Sequence, residues 1–176
     1  MLIRVATNSD RDNILNIHLR AFPDSEKDIV SALAVDLLDE NTTPQTISLL
    51  AEIDNNVVGH IAFSPVKIDN NDNLQGYILA PLAVLPDYQK RGVGSKLIES
   101  GIDALLKKGI NILFVYGDPA YYGRFGFNTE SAEEFVPQYK LQYPFGWQAL
   151  ILNPFSNANT PTSIECVSCL NNPELW

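Results

Sequence analysis

The sequence predicts an α/β protein built on a mixed, mostly antiparallel sheet with helices on both faces. Three observations carry that reading. Short apolar runs are bounded by Asn, Asp, Pro and Gly, the pattern of strands joined by turns. Turn signals at Asp54-Asn55-Asn56 and at Asn70 to Asn73 place hairpins in the first half. In the second half a strand, a helix and another strand follow one another, the order of a crossover.

Leu2 to Ala6 reads as the first strand. Asn8, Ser9 and Asp10 offer helix caps, and Ile14, Ile17, His18 and Ala21 follow at helical spacing until Pro23. Ser25 is placed to cap a second helix with Ile29, Leu33, Leu37 and Leu38 on one face. Thr46 to Ile53 and Val57 to Ile68 are strands on either side of the first turn. Gln75 to Leu85 is the longest apolar strand. Gly92 to Lys108 forms a helix with Leu97, Ile98, Gly101, Ile102 and Leu105 inward, and Gly109 stops it. Ile110 to Tyr116 is the next strand. Asp118-Pro119 starts a short helix, Asp as cap and Pro in the first turn, which ends near Gly126. Asn128 to Tyr143 is polar and aromatic without a clear period. Phe145 to Leu152 and Ser163 to Ser168 close the chain as strands.

The 176 residues suit one domain with one sizeable core, 1–176. No apolar run is long enough to span a bilayer, and Met1-Leu2-Ile3-Arg4 lacks signal-peptide anatomy, so a cytoplasmic protein is expected. A formal net charge of -9 opposes binding to nucleic acid and to anionic membrane surfaces. Any anionic ligand must therefore be held by local positive potential. Cys166 and Cys169 fall in a segment read as a strand, where positions three apart face opposite ways. That suits neither chelation nor a disulfide, and both read as ordinary strand cysteines.

Three local features point to chemistry. Gln89-Lys90-Arg91-Gly92-Val93-Gly94-Ser95 lies between a buried strand and a helix. Its alternate glycines admit a ligand close to the backbone, and the free N–H groups of the first helical turn favour an anion. Lys90, Arg91 and Lys96 add positive charge, so a pyrophosphate is the natural guest. The other reading is a glycine-softened helix cap, since the motif lacks the Lys-Ser/Thr ending of a nucleotide loop. Second, Pro81 sits inside the most strand-like segment. It cannot donate to a ladder and so marks a bulge or a parting that frees the backbone of Leu82, Ala83 and Val84. Third, Tyr121 and Tyr122 stand on the short helix, pointing to different faces. A tyrosine of pKa about 10 is matched to protonating a thiolate whose conjugate acid has a pKa of about 8.5.

In this order the three features resemble the GNAT superfamily of acyl-CoA-dependent N-acyltransferases. Gln89, Gly92 and Gly94 match its Arg/Gln-x-x-Gly-x-Gly/Ala turn, and Tyr121, Tyr122, Gly126 and Phe127 match its late aromatic and Gly-Phe signature. Pro81 to Val84 resembles the strand before the turn. The run Gly117-Asp118-Pro119 to Tyr122, with Arg124 to Phe127, resembles the YhbS-like branch. The resemblance covers roughly residues 1 to 130, with sharp motifs from 80 to 127 only.

The resemblance implies about seven strands, split between the fourth and fifth. It implies acetyl-CoA as donor, with its pyrophosphate on the amides of Arg91 to Ser95 and its pantetheine arm beside Leu82, Ala83 and Val84. There a backbone N–H would polarise the thioester carbonyl. Tyr122 matches the general-acid position. No metal is implied. The acceptor is expected to be a primary amine, chiefly of a small molecule, and the protein a monomer or homodimer. Acetylation of protein amines and a cofactor-binding sensor without turnover are the alternatives, and Tyr122 favours an enzyme over the sensor. The family's glutamate on the central strands has no counterpart between Tyr77 and Leu85, which leaves Glu26, Glu52, Asp118 or water as base. Glu26, Asp28, Asp36, Asp39 and Glu40 read as a solvated face or as an attractant for a cationic amine. Phe135, Tyr139, Tyr143, Phe145 and Trp147 read as core or as a pocket wall. His60 reads as packed or at a rim, and Arg124 as a phosphate contact or a helix-end charge.

Overall fold

The computed structural model describes residues 1–69, 71–156 and 161–176. The chain opens with β1 (Leu2–Val5), a 3-10 turn, then α1 (Arg11–Ala21) and α2 (Lys27–Asp39). Next come β2 (Ile47–Ile53), β3 (Asn56–Ile68), β4 (Gly76–Val84), α3 (Val93–Lys107), β5 (Ile112–Tyr116) and α4 (Pro119–Tyr122). The described chain closes with β6 (Phe135–Val136), β7 (Trp147–Ile151) and β8 (Thr162–Cys166).

Among the described residues eight strands form a sheet in the order β1-β2-β3-β4-β5-β7, with β8 against the far end of β3 and against β6. All neighbours along that path run antiparallel except β4 and β5. The β2–β3 hairpin turns where sequence predicts it, because Asp54 and Asn55 accept the left-handed conformation (φ 50° and 63°) that a two-residue hairpin loop needs. Asn70, in the second predicted turn, lies outside the described residues.

Helices cover both faces, as strand alternation demands. Ile61, Phe63, Leu79, Leu113 and Val115 meet Val93, Leu97, Ile98 and Leu105 of α3. Ala62, Ile78 and Phe114 meet Leu33 and Leu37 of α2 on the opposite side. Gly101 of α3 has no side chain because Phe63 occupies its place: a Cβ there would lie 2.0 Å from the ring. Among the described residues, no helix is long and apolar enough to cross a membrane.

Two sequence expectations need correction. Ser25 does not cap α2: the helix begins after Glu26, and no side chain makes an N-cap hydrogen bond there. With β6, a two-residue pairing in the segment without periodicity, the described residues hold eight strands, close to the seven expected. Cys169 lies in a 3-10 turn past β8, so only Cys166 is a strand cysteine, though both are free thiols. Of its two readings, His60 takes the packed one. It is fully buried, with Nδ1 2.8 Å from Nε2 of His18 and Nε2 2.8 Å from the Ser48 hydroxyl. Burial lowers the pKa of both imidazoles, that of His18 to about 3.

Candidate active site

The β4–β5 pair sets the geometry of the site. The two strands pair in parallel from Gly76 with Ile112 to Leu79 with Val115, and then part. Past that point β4 runs on to Val84 against β3 alone. Opposite Ala62 of β3, Ala80 and Pro81 share one place in the register, the bulge that Pro81 predicts. The backbone of Leu82, Ala83 and Val84 therefore borders a cleft on the side that β5 has left.

The α3 N-terminus closes one end of this cleft. Gly92 caps the helix in the left-handed conformation (φ 78°), and no side chain bonds the first turn. The first intrahelical donor is Lys96, to Gly92. The N–H groups of Val93, Gly94 and Ser95 thus stay free for a ligand, at the positive end of a helix dipole. Gln89 donates from Nε2 to the Val84 carbonyl at 3.0 Å, which pins the turn to the end of β4.

The cleft of about 650 Å³ is lined by Leu82, Ala83, Val84, Gln89, Lys90, Gly92, Val93, Gly94 and Ser95. The structure thus brings these sequence candidates together. It leaves Arg91 outside the lining, with its guanidinium 5.4 Å over the Tyr88 ring, and pairs Lys96 with Glu99 at 3.1 Å. The lining cations are Lys90 and Arg124. Arg124 stands 4.5 Å over the Tyr121 ring and donates to the Tyr121 carbonyl.

Asp118 starts α4 as its sequence requires, accepting the Ala120 N–H at 2.9 Å with Pro119 in the first turn. The helix turns its two tyrosines to different sides. Tyr121 lines the cleft, and its hydroxyl would lie 2.6 Å from a Cβ at Gly94. Tyr122 lies against Gly117 at the end of β5, edge-on to Tyr121 and Phe127, and its hydroxyl bonds no described residue. Burial first, then the nearby Tyr121 and Asp118, push the Tyr122 hydroxyl well above the ordinary phenol range. Tyr121 as a lining residue escaped the sequence reading. The signal was its spacing from Arg124, three residues on and so on the same helical face.

A second pocket of about 530 Å³ opens beyond the end of β5. Its walls come from the start of α2, from Tyr116 to Pro119, from Gln142 to Gly146 and from the segment Glu174 to Trp176. Asp118 lines both this pocket and the cleft. The structure separates the three sequence candidates for a base. Glu52 bonds Arg4 at 2.6 Å and lines neither cavity, Glu26 lines the second pocket, and Asp118 sits at the junction. Of the acidic α2 residues, Asp39 pairs with Arg11 and Glu40 with the Ser168 hydroxyl. The aromatic segment divides likewise. Phe135 and Trp147 are core, whereas Tyr143 and Phe145 line the second pocket.

Comparison with known proteins agrees with this geometry. The sequence profile of the Acetyltransferase (GNAT) family matches residues 11–127. Over 135 residues the chain is 39% identical to the uncharacterized N-acetyltransferase YjhQ of Escherichia coli K12, which covers 76% of this chain and 72% of that protein. The crystal structure of the E. coli GNAT family N-acetyltransferase YhbS in complex with CoA superposes with a TM-score of 0.83 at 30% identity, over 97% of this chain and 92% of that one. A GNAT family acetyltransferase from Brucella melitensis in complex with acetyl-CoA gives 0.65 at 31% identity, over 92% and 93%. The family match spans more than half of the chain, the identity extends across most of it, and the fold is shared nearly end to end: this chain belongs to the GNAT family of acetyltransferases.

Proposed function

We propose that this protein transfers the acetyl group of acetyl-CoA directly to a primary amine of a small molecule, within a ternary complex. One observation carries the reading. The free N–H groups at the α3 N-terminus and the unpaired side of β4 border one cleft, in a protein whose net charge of -9 would otherwise repel a polyanion. Two related crystal structures hold CoA and acetyl-CoA. The cleft fits such a ligand by its chemistry: backbone donors with Lys90 and Arg124 for phosphates, and an extended strand edge for an amide-bearing arm.

Each residue then has a task. Val93, Gly94 and Ser95 hold the pyrophosphate through their N–H groups. The backbone at Leu82 to Val84 aligns the arm and offers an N–H to the thioester oxygen as negative charge grows there. The amine nitrogen bonds the carbonyl carbon and the carbon–sulfur bond breaks. Of the two protons that an ammonium loses overall, one ends on the CoA sulfur and the other in solvent. Tyr122 supplies the proton to sulfur and is reprotonated afterwards. Burial keeps its phenol protonated and so available as a donor.

Tyr122→Phe tests this. Turnover should fall roughly 100- to 10,000-fold while acetyl-CoA affinity stays within a few-fold. The loss should shrink with a donor whose thiol is more acidic. Normal turnover of the variant, followed by thiol release on an accepted amine, would remove Tyr122 from the chemistry.

A further inference from the structure

The pocket beyond β5 differs from the cofactor cleft in the sign of its charge. It meets the cleft at Asp118, so a molecule lodged there lies next to the place where the thioester would end. Three carboxylates line it, Glu26, Asp118 and Glu174, and no Lys, Arg or His does. None of the three is ion-paired with a described residue. Asp118 uses one oxygen to cap α4, which leaves the other free at the junction.

The rest of the lining is apolar or aromatic. Ile29 and Val30 form one side, with Tyr143 and Phe145 at the rim. Those two rings lie tilted against each other, centroids 5.8 Å apart, and their residues are 52% and 63% exposed, far more than aromatics of this size are when they serve only a core. The last wall is held in place by Trp176, stacked on Tyr116 at the end of β5 and donating from Nε1 to the Leu170 carbonyl at 3.1 Å. That anchoring carries Glu174 to the pocket.

Building on the acetyltransferase reading, we infer that this pocket takes the acceptor, and that the acceptor is a hydrophobic primary amine bearing no negative charge. An ammonium gains from each carboxylate, and its apolar body covers Ile29, Val30 and the rim rings. An amine that also carried a carboxylate or phosphate would set that group against three like charges with no cation to answer it. Glu174 and Trp176 become specificity residues, although they lie outside the stretch matched by the family profile, 11–127.

The test uses the full chain saturated with CoA and three probes of one shape: 2-phenylethylammonium, neutral 2-phenylethanol and anionic 3-phenylpropionate. Calorimetric titration should show saturable binding of the ammonium, at least about tenfold tighter than the anion. Glu26→Gln and Glu174→Gln should each weaken the ammonium roughly 2- to 5-fold, the range of exposed ion pairs. They should also narrow its margin over the anion and raise KM for a turned-over amine, with KM for acetyl-CoA unchanged. Equal binding of ammonium and anion, no saturable binding of the ammonium at millimolar concentration, or unchanged affinity in both Gln variants would overturn the inference. Failure of acetyl-CoA to bind, with ammonium binding intact, would overturn the transferase reading and the acceptor role with it. Loss of ammonium binding alone would overturn only the pocket.

Discussion

Gly94→Ala should damage the cofactor cleft without damaging the fold. Position 94 is in the first turn of α3, where alanine is the better helix former by up to about 1 kcal/mol. The unliganded protein should therefore hold or slightly raise its Tm. The new Cβ, however, would stand 2.6 Å from the Tyr121 hydroxyl, where an ordinary contact begins near 3.4 Å. The ring tip must move by about 0.8 Å, and it lines the cleft. With the cleft empty the ring tip swings aside at little cost, but with acetyl-CoA bound the crowding costs about 1–3 kcal/mol, which as lost affinity is roughly 5- to 150-fold. Thermal unfolding with acetyl-CoA reads it directly. At 100 times the parent Kd the ligand adds about 2.7 kcal/mol, or about 5–11 °C in a chain of this size. A 30-fold weaker variant keeps about 0.9 kcal/mol of that. Adding Tyr121→Phe removes the offending oxygen and leaves the ring carbon at 3.8 Å, an ordinary contact, so the double variant should regain most of the protection. Full protection in Gly94→Ala alone, or a double variant as weak as the single one, would refute the crowding argument.

Two further outcomes follow from packing and burial. Gly101→Ala places a Cβ 2.0 Å from the Phe63 ring, so the helix-propensity gain should be outweighed and the Tm should fall by several degrees, with part restored by Phe63→Leu. His18 stays neutral in the fold down to a pKa of about 3, whereas the unfolded chain takes up the proton near 6.5. Stability therefore falls as pH drops below 6.5, by about 2–3 kcal/mol at pH 4.5 from this residue alone, and His60 adds to the loss. Urea unfolding at pH 7.5 and 4.5 checks the slope, which should flatten in His18→Gln. A pH-independent midpoint would mean that the pair is not held neutral.

The legible parts of this protein are those where local chemistry decides the conformation. Asp54-Asn55 turns because few residues tolerate left-handed backbone. Asp118-Pro119 starts a helix because the cap and the missing N–H fit there. Pro81 breaks a ladder wherever it sits. The glycine turn was legible for the same reason, and nearly all its residues meet in one cleft. What stayed hidden depends on contacts made across the chain. Whether Tyr121 or Tyr122 faces the cleft is set by how α4 leans on Gly117 just before it and on Gly94, which is distant in sequence. Arg91 reads as a ligand-binding cation until Tyr88 is found beneath it. The buried His18–His60–Ser48 chain joins three elements, and no spacing announces it. Glu26 and Glu174 are separated by nearly the whole sequence and share one pocket.

The parting of β4 and β5 divides the work between two kinds of sequence. The proposed donor grip is written almost entirely in one uninterrupted stretch, from Leu82 to Ser95, and relies on backbone groups that tolerate many side chains. The opposite side is assembled from four separate pieces of the chain that meet at the fork. Exchanging those pieces, the residues near 26–30, 142–146 and 174–176 above all, should retarget the protein to other molecules while the donor end goes on as before. On the proposed function, the fork separates a donor side set by one constant ligand from an acceptor side that can be changed independently of it.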